Sequence, residues 1–259
     1  MSETPRNALH HLLLMTATIT PPASMGNNLR QDPDLRLQDY AEALRFYLSL
    51  PPGGPQSVLF CENSGSDLSS LRELSESENP HGRKVEFLSY VTDMPPERGK
   101  GCGELDILDR AHDEVLAARP EVMVWKVTGR LVVKNLSQMI ASLPKGAAFY
   151  GDFRSVPVIG EKLGGNDWLD TRLLAYRPDY YAKYVHGMKE KCGICTEKCL
   201  FAAIRPAIDG DPGIAPRFRA QPVFRGICGG SNEDYEALPA RAKNLIRSVG
   251  RRVAPGVWL

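Results

Sequence analysis

No run of about 18 apolar residues occurs in this chain of 259, so no membrane-spanning helix is expected. The apolar stretch His10–Met15 is too short for the core of a secretory signal, and no convincing cleavage site precedes Thr16-Ala17-Thr18. A cytoplasmic protein is therefore expected, with its six cysteines as thiols. Charge of one sign is missing too: 32 basic residues face 31 acidic ones, for a net charge of +1. That balance gives no support to a nucleic-acid partner. Only five histidines are present, and neither His-Glu-x-x-His nor Gly-x-Ser-x-Gly appears, which counts against the commoner hydrolase chemistries. What is there suits a folded protein: 42% hydrophobic and 24% charged residues exclude wholesale disorder.

The first half alternates two hydrophobic patterns. Leu12 to Thr20 is a continuous apolar and β-branched run closed by Pro21-Pro22, as in a strand buried on both faces. Further strands are expected at Ser57–Cys61, Val85–Tyr90 and Val122–Val127, and residues 1–10 read as a loose N-terminus. Between the strands, Leu35–Leu50 predicts a helix with Leu37, Tyr40, Ala41, Leu44, Tyr47 and Leu48 on one face. Another helix opens near Asp67, a third spans Glu104–Ala118 after a glycine loop, and a short one covers Leu136–Leu143. The alternation predicts an α/β fold with a mostly parallel central sheet flanked by helices, and ligand loops at the carboxyl ends of its strands. The second half is less regular. Strands are expected at Ala147–Arg154 and Trp168–Tyr176, and helices at Pro178–Met188, Thr196–Ile204 and Ala237–Arg252.

Several motifs sit at the predicted strand ends, each with a plainer alternative. Gly99-Lys100-Gly101-Cys102-Gly103-Glu104 could offer backbone N–H groups to phosphate, or be a simple loop, and it matches neither the dinucleotide fingerprint nor the Walker A pattern. Lys126 and Arg130, with Lys134 nearby, could neutralise a diphosphate, or be solvated cations. Asp152-Phe153-Arg154 and Asp170-Thr171-Arg172 each put an acid and a base on one side of a strand, where a surface ion pair is the plain reading. Cys192, Cys195 and Cys199 fall on one face of a helix, which favours buried thiols over a metal site. Five cations and no acid follow Leu238, with Leu245, Ile246 and Val249 among them. The favoured reading packs that apolar side on the domain, and contact with anionic lipid is the alternative.

Taken in order, these pieces resemble bacterial glycosyltransferase-like proteins of surface-polysaccharide clusters. The matching segments are Thr16–Pro21, Tyr40–Tyr47, Phe60–Gly65, Val85–Tyr90, Gly99–Glu104, Lys126–Leu131 with Asn135, and Asp170–Arg172. The resemblance spans roughly residues 12–235 and implies a GT-A-like, Rossmann-like fold in a single domain. Residues 12–145 would form the nucleotide-binding half and 146–259 the acceptor and donor-sugar half. Thr18, Thr20, Pro21, Glu62, Asn63 and Ser64 would hold base and ribose. Lys100, Gly101, Gly103 and Glu104 would approach the ribose or donor sugar. Lys126, Thr128, Gly129 and Arg130 stand where many GT-A enzymes carry a metal-binding Asp-x-Asp, so no metal or other cofactor is expected, with Mn or Mg as the alternative. Lys126, Arg130 and Arg172 would carry the charge of the leaving diphosphate.

The resemblance also places a carboxylate, Glu197, where it could deprotonate the acceptor hydroxyl or orient the sugar, with Asp170 as the second candidate. The activity implied is transfer of a sugar from a nucleotide-diphosphate donor to a glycan or lipid-linked acceptor. The protein would be cytoplasmic or peripheral at the inner membrane face. Two rival expectations remain: a sugar-phosphate nucleotidyltransferase, and a non-enzymatic Cys-rich metal-binding module.

Overall fold

The computed structural model describes residues 9–25, 29–156, 166–193, 195–253 and 258, so most of the N-terminal stretch expected to be loose lies outside it. In chain order the first half holds β1 (His10–Ala17), α1 (Pro33–Ser49), β2 (Ser57–Glu62), α2 (Ser69–Ser77), β3 (Lys84–Ser89), α3 (Gly99–Ala111), β4 (Val122–Thr128), β5 (Val132–Val133) and α4 (Leu136–Ala141). The second half holds β6 (Phe149–Tyr150), β7 (Phe153–Arg154), β8 (Trp168–Leu169), β9 (Leu173–Tyr176), α5 (Pro178–Tyr184), α6 (Met188–Lys191), α7 (Thr196–Ile208), β10 (Ile214–Ala215), β11 (Phe224–Arg225) and α8 (Leu238–Val253).

The expected α/β architecture is present. A seven-stranded sheet runs β10-β6-β9-β4-β1-β2-β3. The four long strands are mutually parallel, and β9 runs antiparallel to both β4 and β6. The two-sided burial of β1 explains its unbroken apolar sequence. Leu13 and Met15 enter the core beneath α1, whereas Leu12 and Leu14 enter the core on the α3 and α7 side. Phe60 and Trp125 join the first core, and Leu59 and Val124 the second, so each long strand feeds both. Asp32 caps α1 by accepting from the backbone N–H groups of Asp34 and Leu35.

Several boundaries differ from expectation. The expected strand Ala147–Arg154 breaks into β6 and β7, and Trp168–Tyr176 into β8 and β9, because β7 and β8 leave the sheet to pair with each other. The expected helix Pro178–Met188 divides into α5 and α6 at Gly187, whose φ of 74° is left-handed. The glycine loop before Glu104 is instead the first turn of α3, entered through Gly99 at φ 82°. Its later end unwinds into a π-helical turn at His112–Leu116. Helix packing explains the early start: a Cβ on Gly101 would lie 2.0 Å from Thr196 Oγ1 and 2.8 Å from Thr196 Cβ, so only glycine lets α3 meet α7 here. Gly101→Ala should therefore cost about 1–3 kcal/mol through overpacking, read as a lower urea midpoint with an unchanged slope.

The cysteine expectation is corrected as well. Only Cys199 lies within α7; Cys192 ends α6, and the two are joined by a disulfide with Cα atoms 5.6 Å apart. Cys61, Cys102, Cys195 and Cys228 are free. Among the described residues no helix is long and apolar enough to cross a membrane. Helix α8 is turned the other way from the favoured reading: Arg251 is buried against the body, while Leu238, Leu245, Ile246, Val249 and Val253 are exposed. Hydrogen bonds from Arg251 to Asp152, Gln221 and the Phe218 carbonyl fix that orientation.

Candidate active site

Strand order reverses between β1 and β4. The chain leaves β1 for β2 on one side and returns to β4 on the other. In open α/β sheets such a point leaves a crevice outside the strand carboxyl ends. Here it is a cavity of about 740 Å³, walled by the ends of β1 and β4, the first turn of α3, the Asp170–Arg172 turn, the start of α7 and residues 227–229. Of the residues singled out in the sequence, Thr18, Thr20, Pro21, Asn63, Ser64, Lys100, Gly101, Gly103, Glu104, Thr128, Arg130, Asp170, Arg172 and Glu197 line it. Glu62, Lys126 and Gly129 do not, and each is occupied in shaping the walls.

The loop after β1 is held on both sides. The Thr18 hydroxyl donates to Asn63 Oδ1 at 2.6 Å, and the Thr20 N–H donates to Ser64 Oγ at 3.0 Å. Glu62, fully buried, accepts from the N–H groups of Ile19, Ser64 and Ser66 and from the Ser64 hydroxyl. From α1, Arg36 donates to the Thr18 carbonyl at 2.6 Å, and Tyr40 Oη accepts from the Thr18 N–H at 2.9 Å. Arg36 and Tyr40 both line the cavity, and sequence reasoning missed them as site residues. The available signal was an arginine four residues before a tyrosine on the buried face of a helix, since a buried guanidinium must find acceptors.

Beneath the cavity Lys126 is completely buried, with Nζ 2.5 Å from Glu104 Oε1 and 2.5 Å from the Thr171 carbonyl oxygen. Glu104 Oε1 also accepts from Thr16 and Thr128 hydroxyls at 3.0 and 3.1 Å. The ammonium expected to meet a diphosphate therefore fixes Glu104 and the Asp170–Arg172 turn instead. Gly129 donates its N–H to the Thr16 carbonyl at 2.9 Å, and a Cβ there would lie 2.6 Å from that oxygen. Its glycine is explained by strand contact.

The far wall is strongly charged. Asp170 takes Arg172 Nη2 and Arg154 Nη2, each at 2.5 Å, so the pairing is buried and not the surface pair expected. Burial pushes the Asp170 carboxyl up, but Arg172 and Arg154 overcome this and hold it far below the usual carboxylate range. Arg154 also approaches Asp152 at 3.5 Å, and Asp152 is held by Arg251 at 2.6 Å. Arg172 lies over the rings of Phe224 and Tyr235, 4.4 and 5.1 Å from their centroids. Arg130 lies 3.5 Å from Asp39 and donates to the Ile227 carbonyl at 3.3 Å.

Glu197, in the first turn of α7, differs from Asp170. Burial raises its carboxyl above the ordinary value; a hydrogen bond from its own backbone N–H opposes this, the neighbouring charges of Glu104 and Asp170 raise it further, and Lys100 exerts the weakest downward pull. A carboxylate of raised proton affinity in a cleft is suited to accept a proton. Cys228, a third residue that sequence reasoning did not assign to this cavity, also lines it. Burial would raise its thiol, but hydrogen bonds from Ser231, Tyr235 and the N–H groups of Gly230 and Ser231 lower it to about 7. Among the described residues, no group of three or more His, Cys, Asp or Glu side chains is arranged to hold a metal ion.

No protein-family model matches the chain, and no curated protein matches its sequence. Solved structures similar to it include a protein assigned as a nucleotide-diphospho-sugar transferase from Desulfovibrio desulfuricans G20, at 9% identity over 76% of each chain and a TM-score of 0.45. Mouse xyloside xylosyltransferase 1 is similar at 10% identity over 80% of this chain and 84% of that one, with a TM-score of 0.39. A cytidylyltransferase from Leptospira borgpetersenii is similar at 11% identity over 78% and 72%, with a TM-score of 0.38. At these values the neighbours' activities stay with the neighbours.

Proposed function

We propose that this chain is a glycosyltransferase that moves a sugar from a nucleotide-diphosphate donor to a hydroxyl of a glycan or lipid-linked acceptor. One observation carries the reading: a single cavity at the strand ends joins Arg130, Arg172, Arg154 and Lys100 with Glu197, a carboxylate of raised proton affinity. The cations suit a leaving diphosphate, and the carboxylate suits an attacking hydroxyl.

In this reading Thr18, Thr20, Pro21, Asn63 and Ser64 hold base and ribose, and Arg36 and Tyr40 fix their loop. Glu104, held by Lys126, faces the ribose or donor sugar. The acceptor oxygen forms a bond to the anomeric carbon, and its proton passes to Glu197. The bond from that carbon to the diphosphate oxygen breaks, and its electron pair leaves with the diphosphate. Arg130, Arg172 and Lys100 carry the resulting charge, so transfer proceeds without a divalent metal.

A thermal-shift screen with nucleoside diphosphates and nucleotide sugars, with and without Mn²⁺, tests this reading. A donor at a hundred times its dissociation constant should stabilise the chain by about 2.7 kcal/mol. Arg130→Ala should remove most of that shift for diphosphates while sparing the shift with the nucleoside alone. A shift seen only with Mn²⁺ would overturn the metal-free assignment. Pyrophosphate release from a nucleoside triphosphate and a sugar phosphate would replace glycosyl transfer with nucleotidyl transfer.

A further inference from the structure

Helix α8 presents the inverse of an ordinary surface helix. Leu238, Leu245, Ile246, Val249 and Val253 are 80, 67, 68, 53 and 75% exposed. At about 100° per residue they fall within an arc of about 100° on one side. Arg251, on the opposite side, is 6% exposed and anchored to Asp152. The apolar stripe therefore faces outward because the cationic side is locked inward. Arg241 and Arg252 border the stripe on one side and Lys243 on the other, and all three are exposed. The helix carries no acidic residue.

From this surface we infer that α8 is a docking face for an anionic lipid bilayer, with the five apolar side chains entering the headgroup boundary and Arg241, Lys243 and Arg252 meeting lipid phosphates. Charge complementarity selects this occupant: a uniformly cationic rim around an apolar stripe matches an anionic interface. Long Arg and Lys stems can lie along the apolar layer while their heads stay in water. A second copy fits less well, because packing the same helix against itself would bring two cationic rims together without an acid between them.

The docking face is also tied to the cavity. Arg251 holds Asp152, Asp152 lies beside Arg154, and Arg154 pairs with Asp170 at the cavity wall. A bilayer on α8 would lie beyond that wall, at the half of the molecule where an acceptor would enter. This last step rests on the proposed transferase reading and favours its lipid-linked acceptor; bilayer docking itself does not depend on that reading.

Sedimentation of the full chain with vesicles tests the inference. The protein should bind phosphatidylcholine vesicles carrying about one third phosphatidylglycerol, and binding should weaken as salt rises. Pure phosphatidylcholine should bind at least tenfold more weakly. The paired change Ile246→Asp and Val249→Asp should reduce binding to anionic vesicles at least tenfold, and so should Arg241→Glu with Lys243→Glu. Unchanged thermal melting would show that these exposed variants remain folded. Equal binding to neutral vesicles, or no binding to either, would overturn the inference. So would light scattering that finds a dimer which the Ile246→Asp pair breaks, since α8 would then serve a second copy. The nucleotide thermal shift does not involve α8, so failure of docking and failure of the transferase reading would be seen separately.

Discussion

Glu197→Gln should lower glycosyl transfer about 10³-fold, within the range for loss of a positioned general base, while nucleotide affinity changes little. Glutamine keeps the shape and loses the proton acceptor. The wild-type rate should fall on acidification as Glu197 takes up its proton, and this limb should lie above glutamate's ordinary value of 4.5, because burial and the nearby charges of Glu104 and Asp170 raise the group. In the variant that limb should vanish. The same shift predicts a stability effect of opposite sign. A carboxyl raised in the folded state stabilises fully below its unfolded value, and that contribution is lost as pH rises through the folded value. Above the folded value ionised Glu197 therefore costs stability, and there Glu197→Gln should melt higher than wild type. A variant that keeps full turnover and its acid limb would remove Glu197 from the chemistry.

The parts of the site that were legible in the sequence are those written by strand ends. Runs such as Leu12–Ala17 and Val122–Val127 must be buried strands, so Thr18, Asn63, Ser64, Thr128 and Arg130 had to fall at their carboxyl ends, where they do line one cavity. Lys126 shows the limit of that reasoning. It shares the buried side of β4 with Val124, so its ammonium meets Glu104 from α3 rather than open space. Alternation along the strand gave its side; only the docking of α3 decided its partner. The start of α3 was hidden because glycines read as loop, whereas Gly101 is needed for contact with Thr196. The orientation of α8 was hidden for a different reason. An apolar stripe has the same sequence whether it faces in or out, and here one long-range ion pair, Arg251 with Asp152, makes the choice. The breaks after Tyr150 and Leu169 likewise depend on β7 and β8 finding each other across residues distant in sequence.

Asp170→Ala should destabilise the chain by about 3–5 kcal/mol, the usual cost of breaking a buried ion pair by removing one partner. For a chain of this size that is a fall in melting temperature on the order of 10 °C. The reason is arithmetic of charge: Asp170 neutralises Arg154 and Arg172 at 2.5 Å each, and Arg154, 7% exposed, has no other carboxylate nearer than Asp152 at 3.5 Å among the described residues. Acid should act in the same direction on the wild type. Because the two guanidiniums hold the folded Asp170 carboxyl below its ordinary value of 3.8, its stabilisation is complete above that value and is lost as pH falls below it. Chemical melts between pH 7 and pH 3 should therefore show an acid-dependent component that Asp170→Ala lacks. The same geometry makes Asp170 a poor proton acceptor, since both oxygens are committed to cations. Its place beside Glu197 is then electrostatic: it keeps Arg172 fixed at the cavity wall, and its own charge raises the proton affinity of Glu197. A conservative Asp170→Asn variant separates these roles. It should lose most of the stability, and any transfer that survives should show the acid limb shifted to lower pH, because one of the charges that raises Glu197 is gone. An unchanged limb would mean that burial and Glu104, without Asp170, set the basicity of Glu197.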